Sequence, residues 1–500
     1  MASNNTLMIV QCNIVKDAKN DDGISHSLLQ TKKKLSHFNR KFLSTKLSNF
    51  LYHGANCMLV IYLVSFFTST GMTPSQAGII VGSRYISQVA GSAILGWLMD
   101  QTNRYMLITS ISMVISTISV TGFVFLPYII YGVSETVFLS SNVTINVIKN
   151  ITNDAETLNF LINNNTQNTM LSVYPTEAFF LSFFFCNICS FFEGNQLGSL
   201  EAFTILISLK LGKNNSYAWQ RMWSMIGYGT FSLLIGIVIR YVQVTFISQF
   251  IVAYFMYFVI KIILFSPFAH LARYYGKSLK QNIAVESCNY LLKITMKKPI
   301  VMLCMLLQFL MGFVGNVIFT YLAIYMDKNM KNGTMLVLGL TTFLQCLFGA
   351  LFSPYVEIIN RKLKNTYFMI ALAFLGYGLG CMLIFFVNDA YYVIGISFIY
   401  GISRPVYIIT MNLELQKITH QKCLVSFLNI ASAMQNGIGG GIGSVVGGYI
   451  YQYYADQLYI IMAIVCLLTA VGLFCKCSYE KLKETRDNKQ LVVQNNLLNL

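Results

Sequence analysis

Charge is scarce in this chain: only 11% of its 500 residues are Asp, Glu, Lys or Arg, against about 25% in soluble domains. That scarcity excludes an ordinary cytosolic enzyme. Proline is sparse as well, at 7 residues, and the chain is rich in Phe, Tyr, Ile and Leu, which excludes a disordered chain. Acidic residues number 19 against 35 basic ones, a net charge of +16. The basic residues fall in short stretches between apolar runs and form no single patch, so they read as orientation signals and not as a nucleic-acid surface. The twelve cysteines lie almost entirely in or beside apolar runs, and the segment 131–175 has none. A disulfide framework is therefore not expected. Cys186 and Cys189 form a CxxC inside an apolar run, where packing is the better reading than zinc or redox chemistry. Cys475 and Cys477 follow the last apolar run and read as interfacial cysteines, with palmitoylation as the alternative. No zinc spacing or nucleophile constellation is present, and Gly439-Gly440-Gly441 lacks the Lys-Ser or Lys-Thr pair of a phosphate loop. No enzymatic activity, metal or cofactor is expected.

What the chain has is length in apolar runs: 55% of it is hydrophobic, gathered in about a dozen runs of 20 or more residues, each enough to span the hydrocarbon core. The runs predict helices at 49–69, 76–98, 105–129, 177–209, 218–240, 244–268, 299–325, 335–355, 366–387, 391–414, 424–450 and 457–475. The expected fold class is an all-α membrane protein of twelve transmembrane helices in two pseudo-symmetric six-helix halves. Residues 1–47 form a polar tail without a cleavable signal peptide. Residues 48–268 form the first half, with an outer loop at 131–175. A basic connector, 269–298, leads to the second half at 299–475, and 476–500 is a tail.

With the amino terminus cytoplasmic, 27 of the 35 Lys and Arg fall in inner segments, four in outer loops and four within helices, as the positive-inside rule requires. The same orientation places the sequons at Asn142, Asn150, Asn164 and Asn332 outside, three of them in the long loop, as expected glycosylation sites. Those at Asn4 and Asn214 fall inside.

The halves echo each other. Asp100-Gln101-Thr102-Asn103-Arg104 follows the second run and Glu357-Ile358-Ile359-Asn360-Arg361 the eighth, an acidic-x-x-Asn-Arg pattern offset by 257 residues. Two six-helix repeats place a substrate site near the midplane between them. The stretch Gly96 to Tyr105 resembles the signature loop of the major facilitator superfamily, which implies that Asp100, Arg104, Glu357 and Arg361 form a gate. A polar turn obeying charge bias is the plainer reading. Leu200-Glu201-Ala202-Phe203 with Trp219-Gln220-Arg221-Met222-Trp223 resembles the lactose permease branch, in which a fourth-helix Glu and a fifth-helix Arg bind sugar. By spacing alone, the short connector 210–215 makes these helices antiparallel neighbours, so Glu201 and Arg221 can meet, as substrate ligands or as a structural salt bridge. Across 48–475 the chain is similar to the animal group called major facilitator superfamily domain-containing protein 6. The matching strings are Tyr217 to Gly229, Arg404-Pro405 and Gly437 to Tyr451.

The chain also departs from the permease pattern. Tyr400 and Ser403 stand where the tenth-helix His and Glu of the proton relay would fall, the ninth helix has no Arg, and the eighth offers only Gln345. Polar stripes mark other candidates: Arg84, Ser87, Gln88 and Gly91 on one face of the second helix, Asn49, His53 and Asn56 on the first, and Arg404, Tyr407 and Glu414 on the tenth. Burial against another polar helix competes with cavity lining for each. Arg84 and Arg404 sit too far from helix ends to snorkel, whereas Lys261 is expected to do so. His53, the one histidine inside an expected helix, is the candidate proton group. The Gly439–Gly448 face of the eleventh helix reads as a packing surface.

The expected function is a secondary transporter of a small polar solute, such as a saccharide, by alternating access, with or without a coupling ion. Its substrate ligands would be Glu201, Arg221, Arg84, Gln88, Tyr228 and Arg404. A nucleoside is an alternative cargo. The rival reading is a cell-surface receptor or scaffold that presents loop 131–175 to an extracellular protein partner. Either is expected in the plasma membrane or an endolysosomal membrane, among lipid and away from nucleic acid.

Overall fold

The computed structural model describes residues 39–69, 72–102, 104–122, 176–211, 217–241, 246–279, 294–363, 365–419 and 424–498. Helix accounts for nearly all of them, because a backbone in hydrocarbon must satisfy its own hydrogen bonds. We label the helices as follows. Helix α1 is Asn39–Val60, continued after a two-residue break by Leu63–Ser69. Then come α2 (Pro74–Thr102), α3 (Tyr105–Gly122), α4 (Thr176–Leu211), α5 (Tyr217–Tyr241) and α6 (Phe246–Leu279). The second set is α7 (Pro299–Asn329), α8 (Met335–Leu363), α9 (Thr366–Phe386) and α10 (Ala390–Ile418). It ends with α11, built from Leu424–Ser432, a π-helical segment Ala433–Gly439 and Gly440–Tyr454, and α12 (Leu458–Leu498). Among the described residues, nine stretches are long and apolar enough to cross a membrane by length and composition.

The helix boundaries differ from the sequence expectation mainly by being longer. Helix α6 continues to Leu279, into the expected connector, and α12 continues to Leu498, through the expected tail. Hydropathy marks where a helix leaves the hydrocarbon, and intrahelical hydrogen bonding continues past that point into polar sequence. The π segment in α11 was not expected, since no simple hydrophobic period encodes an i→i+5 register.

Glycines set how closely the helices approach. Within the first half, a Cβ at Gly91 would collide with the Phe191 carbonyl and one at Gly194 with the Gln88 carbonyl, so α2 and α4 pack backbone to backbone. Between the halves there are two such crossings. At α2 with α11, a Cβ at Gly78 would stand 2.7 Å from the Ser444 carbonyl, and one at Gly82 2.7 Å from that of Gly441. At α5 with α8, a Cβ at Gly236 would stand 3.0 Å from the Met335 carbonyl, and the Ser232 hydroxyl donates to the Gly339 carbonyl at 3.1 Å. Both crossings lie toward one end of the bundle, the end that carries the α7–α8 turn. There Asp389 caps α10 by accepting from the Tyr391 amide at 3.0 Å.

Candidate solute cavity

Beyond those crossings the halves enclose a cavity at the helix midpoints. It is lined by His53 of α1, Ser224, Met225 and Tyr228 of α5, Gln345, Cys346 and Gly349 of α8, and Gly401, Arg404, Pro405 and Ile408 of α10. Its unfilled space is about 510 Å3, part of it open to solvent. Pro405 within α10 has no amide hydrogen, so the Gly401 carbonyl loses its intrahelical donor at the cavity wall. The Arg404 guanidinium carbon stands 5.6 Å from the centre of the Phe319 ring on α7. The Arg84 guanidinium carbon stands 5.7 Å from the centre of the Tyr85 ring on α2, and that ring lies within electrostatic reach of Arg404 as well.

A second polar centre is sealed inside the first half. Glu193 of α4 accepts from the Tyr257 hydroxyl at 2.7 Å, pairs with Lys261 Nζ at 3.4 Å, and pairs with Arg84 Nη2 at 3.3 Å. Arg84 also donates to Asn56 Oδ1 at 3.2 Å, and Lys261 donates to Gln196 Oε1 at 2.8 Å. Glu193 is 0% exposed, Arg84 1% and Lys261 3%. Burying three charges is tolerable only with this degree of pairing, since an isolated charge in the bilayer costs at least about 2.5 kcal/mol. The cluster ties α1, α2, α4 and α6 together and holds one more cation than anion.

A family model described as the MFS_1 like family matches residues 42–461. The chain belongs to the MFS_1-like family. It is a multi-pass membrane protein with the major facilitator fold. Among solved structures, it is similar to the nucleoside transporter NupG (D323A mutant), at 12% identity and TM-score 0.63 over 87% of this chain and 99% of that one. It is similar to a D-xylose–proton symporter at 14% identity and TM-score 0.57, over 86% and 96%. It is also similar to a POT family transporter in complex with 5-aminolevulinic acid, at 13% and 0.56, over 87% and 94%. No curated protein matches the sequence.

Of the substrate ligands expected from sequence, Tyr228 and Arg404 line the cavity of this MFS_1-like chain, as does the proton candidate His53. Arg84 stands behind it, in the buried cluster. Gln88, one turn along α2, is half-buried, as is Glu201 on α4. Helix α5 contains Arg221, whose side chain lies outside the described residues, as do those of Asp100, Glu357 and Arg361 at the ends of α2 and α8; Arg104 is exposed. Asn142, Asn150 and Asn164 also lie outside the described residues. Asn332 is exposed in the α7–α8 turn with φ 57°, its Nδ2 donating to Asp389 at 3.0 Å.

Two readings change, and two polar stripes whose role the sequence leaves open divide. Lys261 does not snorkel: Glu193 and Gln196 hold its ammonium inside the bundle, where two tyrosine rings flank it at 5.1 and 5.2 Å. His53 is not alone among helix histidines, because the extension of α6 includes His270, which lies 3.4 Å from the Ser44 hydroxyl. The α10 stripe divides, with Arg404 on the cavity, Tyr407 donating to Gln308 at 2.9 Å, and Glu414 paired with Lys417 at 3.1 Å. On α1, Asn49 is a packing residue that donates to Thr204 and accepts from Ser224 at 3.0 and 3.1 Å. Sequence reading missed Glu193, Gln196 and Tyr257. The available signal was an acid in the middle of an apolar run, Phe191-Phe192-Glu193-Gly194, where a charge is costly unless it has a partner.

Proposed function

We propose that this chain is a secondary transporter that moves a small polar solute, such as a saccharide, by alternating access. In this reading twelve crossings form two six-helix halves, and both termini and the α6–α7 connector are cytoplasmic. The observation that carries the reading is the midpoint cavity, to which both halves contribute polar groups, set beside glycine crossings that close the halves at the end carrying the α7–α8 turn. Small residues at such crossings let the halves separate and re-form contact at little cost, which rocking requires. The structural neighbours that carry nucleosides and D-xylose support a small polar cargo. Tyr228 and Arg404 contact the solute, Arg84 braces the cavity from behind, and Glu201 with Arg221 forms a second contact toward the inner side. Asp100, Arg104, Glu357 and Arg361 act as the inner gate.

Uptake into liposomes that contain the purified protein tests this. Monosaccharides, sugar acids, nucleosides, nucleotides and short peptides would be offered together and counted by mass spectrometry. Accumulation of at least one class above protein-free liposomes is the expected result, and none above that background would overturn the reading.

A further inference from the structure

The cavity's charge is one-sided. Arg404 is exposed on its wall, and among the described residues no carboxylate lies within ion-pair distance of it. None of the eleven lining residues is acidic. Gln345, 6% exposed, lines the same wall, and its Nε2 has no hydrogen-bond partner. Behind Tyr85 the buried cluster adds surplus positive charge, because Arg84 and Lys261 share the single carboxylate of Glu193. Arg84 Nε and Nη1 also lack partners. Around the cavity and the cluster behind it stand three cations, Arg404, Arg84 and Lys261, against the carboxylate of Glu193, with Glu201 two turns further along α4.

We infer that the cavity selects solutes carrying an anionic group, a carboxylate or a phosphate, which Arg404 and Gln345 receive. This rests on the transport reading and narrows it: a saccharide cargo becomes a sugar acid or sugar phosphate. The physical reason is compensation. A neutral solute displaces cavity water and leaves Arg404 without a counter-charge in a low-dielectric setting, whereas an oxyanion supplies one in the geometry that a planar guanidinium fork prefers. A cationic solute meets Arg404 with no carboxylate on the cavity wall to receive it. Phe319 helps fix the guanidinium plane from one side, so less order is lost on binding.

The test uses charge-bearing thiol reagents on the purified full-length protein carrying Ile408→Cys, a position on the cavity wall. Peptide-resolved mass spectrometry separates this cysteine from the native ones. The rates with a sulfonate-bearing and a trimethylammonium-bearing methanethiosulfonate are compared with their ratio on a small free thiol. We expect the anionic reagent to be favoured by about tenfold or more over that reference. The preference should survive in Arg404→Lys, collapse in Arg404→Gln and persist in Arg240→Gln, which removes an exposed charge at the far end of α5. A ratio equal to the free thiol, or one favouring the cation, overturns the anion inference and leaves the transport reading standing. Failure of both reagents to reach the cysteine in native protein, with reaction after unfolding, closes the cavity to solutes and removes both.

Discussion

Glu193 and Arg84 meet at 3.3 Å with neither side chain open to solvent, joining α4 to α2 at mid-depth. Lys261 reaches the other oxygen of the same carboxylate from α6. Removing the acid leaves two unpaired cations, so Glu193→Gln should destabilise the protein by about 3–5 kcal/mol. Lys261→Met leaves the Arg84–Glu193 pair and should cost less. The double variant returns the cluster to its original net charge and should be more stable than Glu193→Gln alone. Thermal unfolding of the three variants in detergent measures this, and a Glu193→Gln protein as stable as wild type would remove the cluster from the folding argument.

The proposed contact of Glu201 with Arg221 calls for a different experiment, because a helix brace and a solute site respond differently to exchange. A brace tolerates the charge swap Glu201→Arg with Arg221→Glu. A solute site does not, since the ligand needs acceptor and fork in fixed places. We expect Glu201→Gln and Arg221→Lys each to abolish uptake at near-normal expression, with no rescue by the swap. Recovery of uptake in the swapped protein would assign the pair to bracing.

Topology is checked by glycosylation. Asn142, Asn150 and Asn164 should carry glycans in the outer loop, so glycosidase treatment should sharpen and lower the gel band. A triple Asn→Gln variant that runs like wild type would place the loop on the other side or leave it unmodified.

The fold was legible because hydropathy reports membrane residence directly: each expected apolar run coincides with a helix wherever the residues are described. Helix ends were not, since α6 and α12 continue through polar sequence once the membrane signal has stopped. Arg404 and Tyr228 could be found as polar residues in apolar surroundings. Glu193 obeys the same rule, but the resemblance to the permease branch drew the reading to Glu201, eight residues further on. Lys261 was misplaced for another reason. A long side chain near a helix end can escape to the interface, and only its packing partners Glu193 and Gln196 reveal that it turns inward. Partners from distant parts of the chain are set by helix rotation, which spacing along one sequence does not encode.

Rocking about the glycine crossings is tested most directly by locking one of them. A Cβ at Gly236 would stand 3.2 Å from the Leu336 Cα and 3.0 Å from the Met335 carbonyl, so the crossing must give by a few tenths of an ångström for Gly236→Cys with Leu336→Cys to face two thiols across the α5–α8 contact. Uptake would be measured in liposomes with the pair oxidised and again after reduction. Loss of uptake in the oxidised protein and recovery on reduction is the predicted result, and undiminished uptake by the fully cross-linked protein would contradict alternating access between these halves.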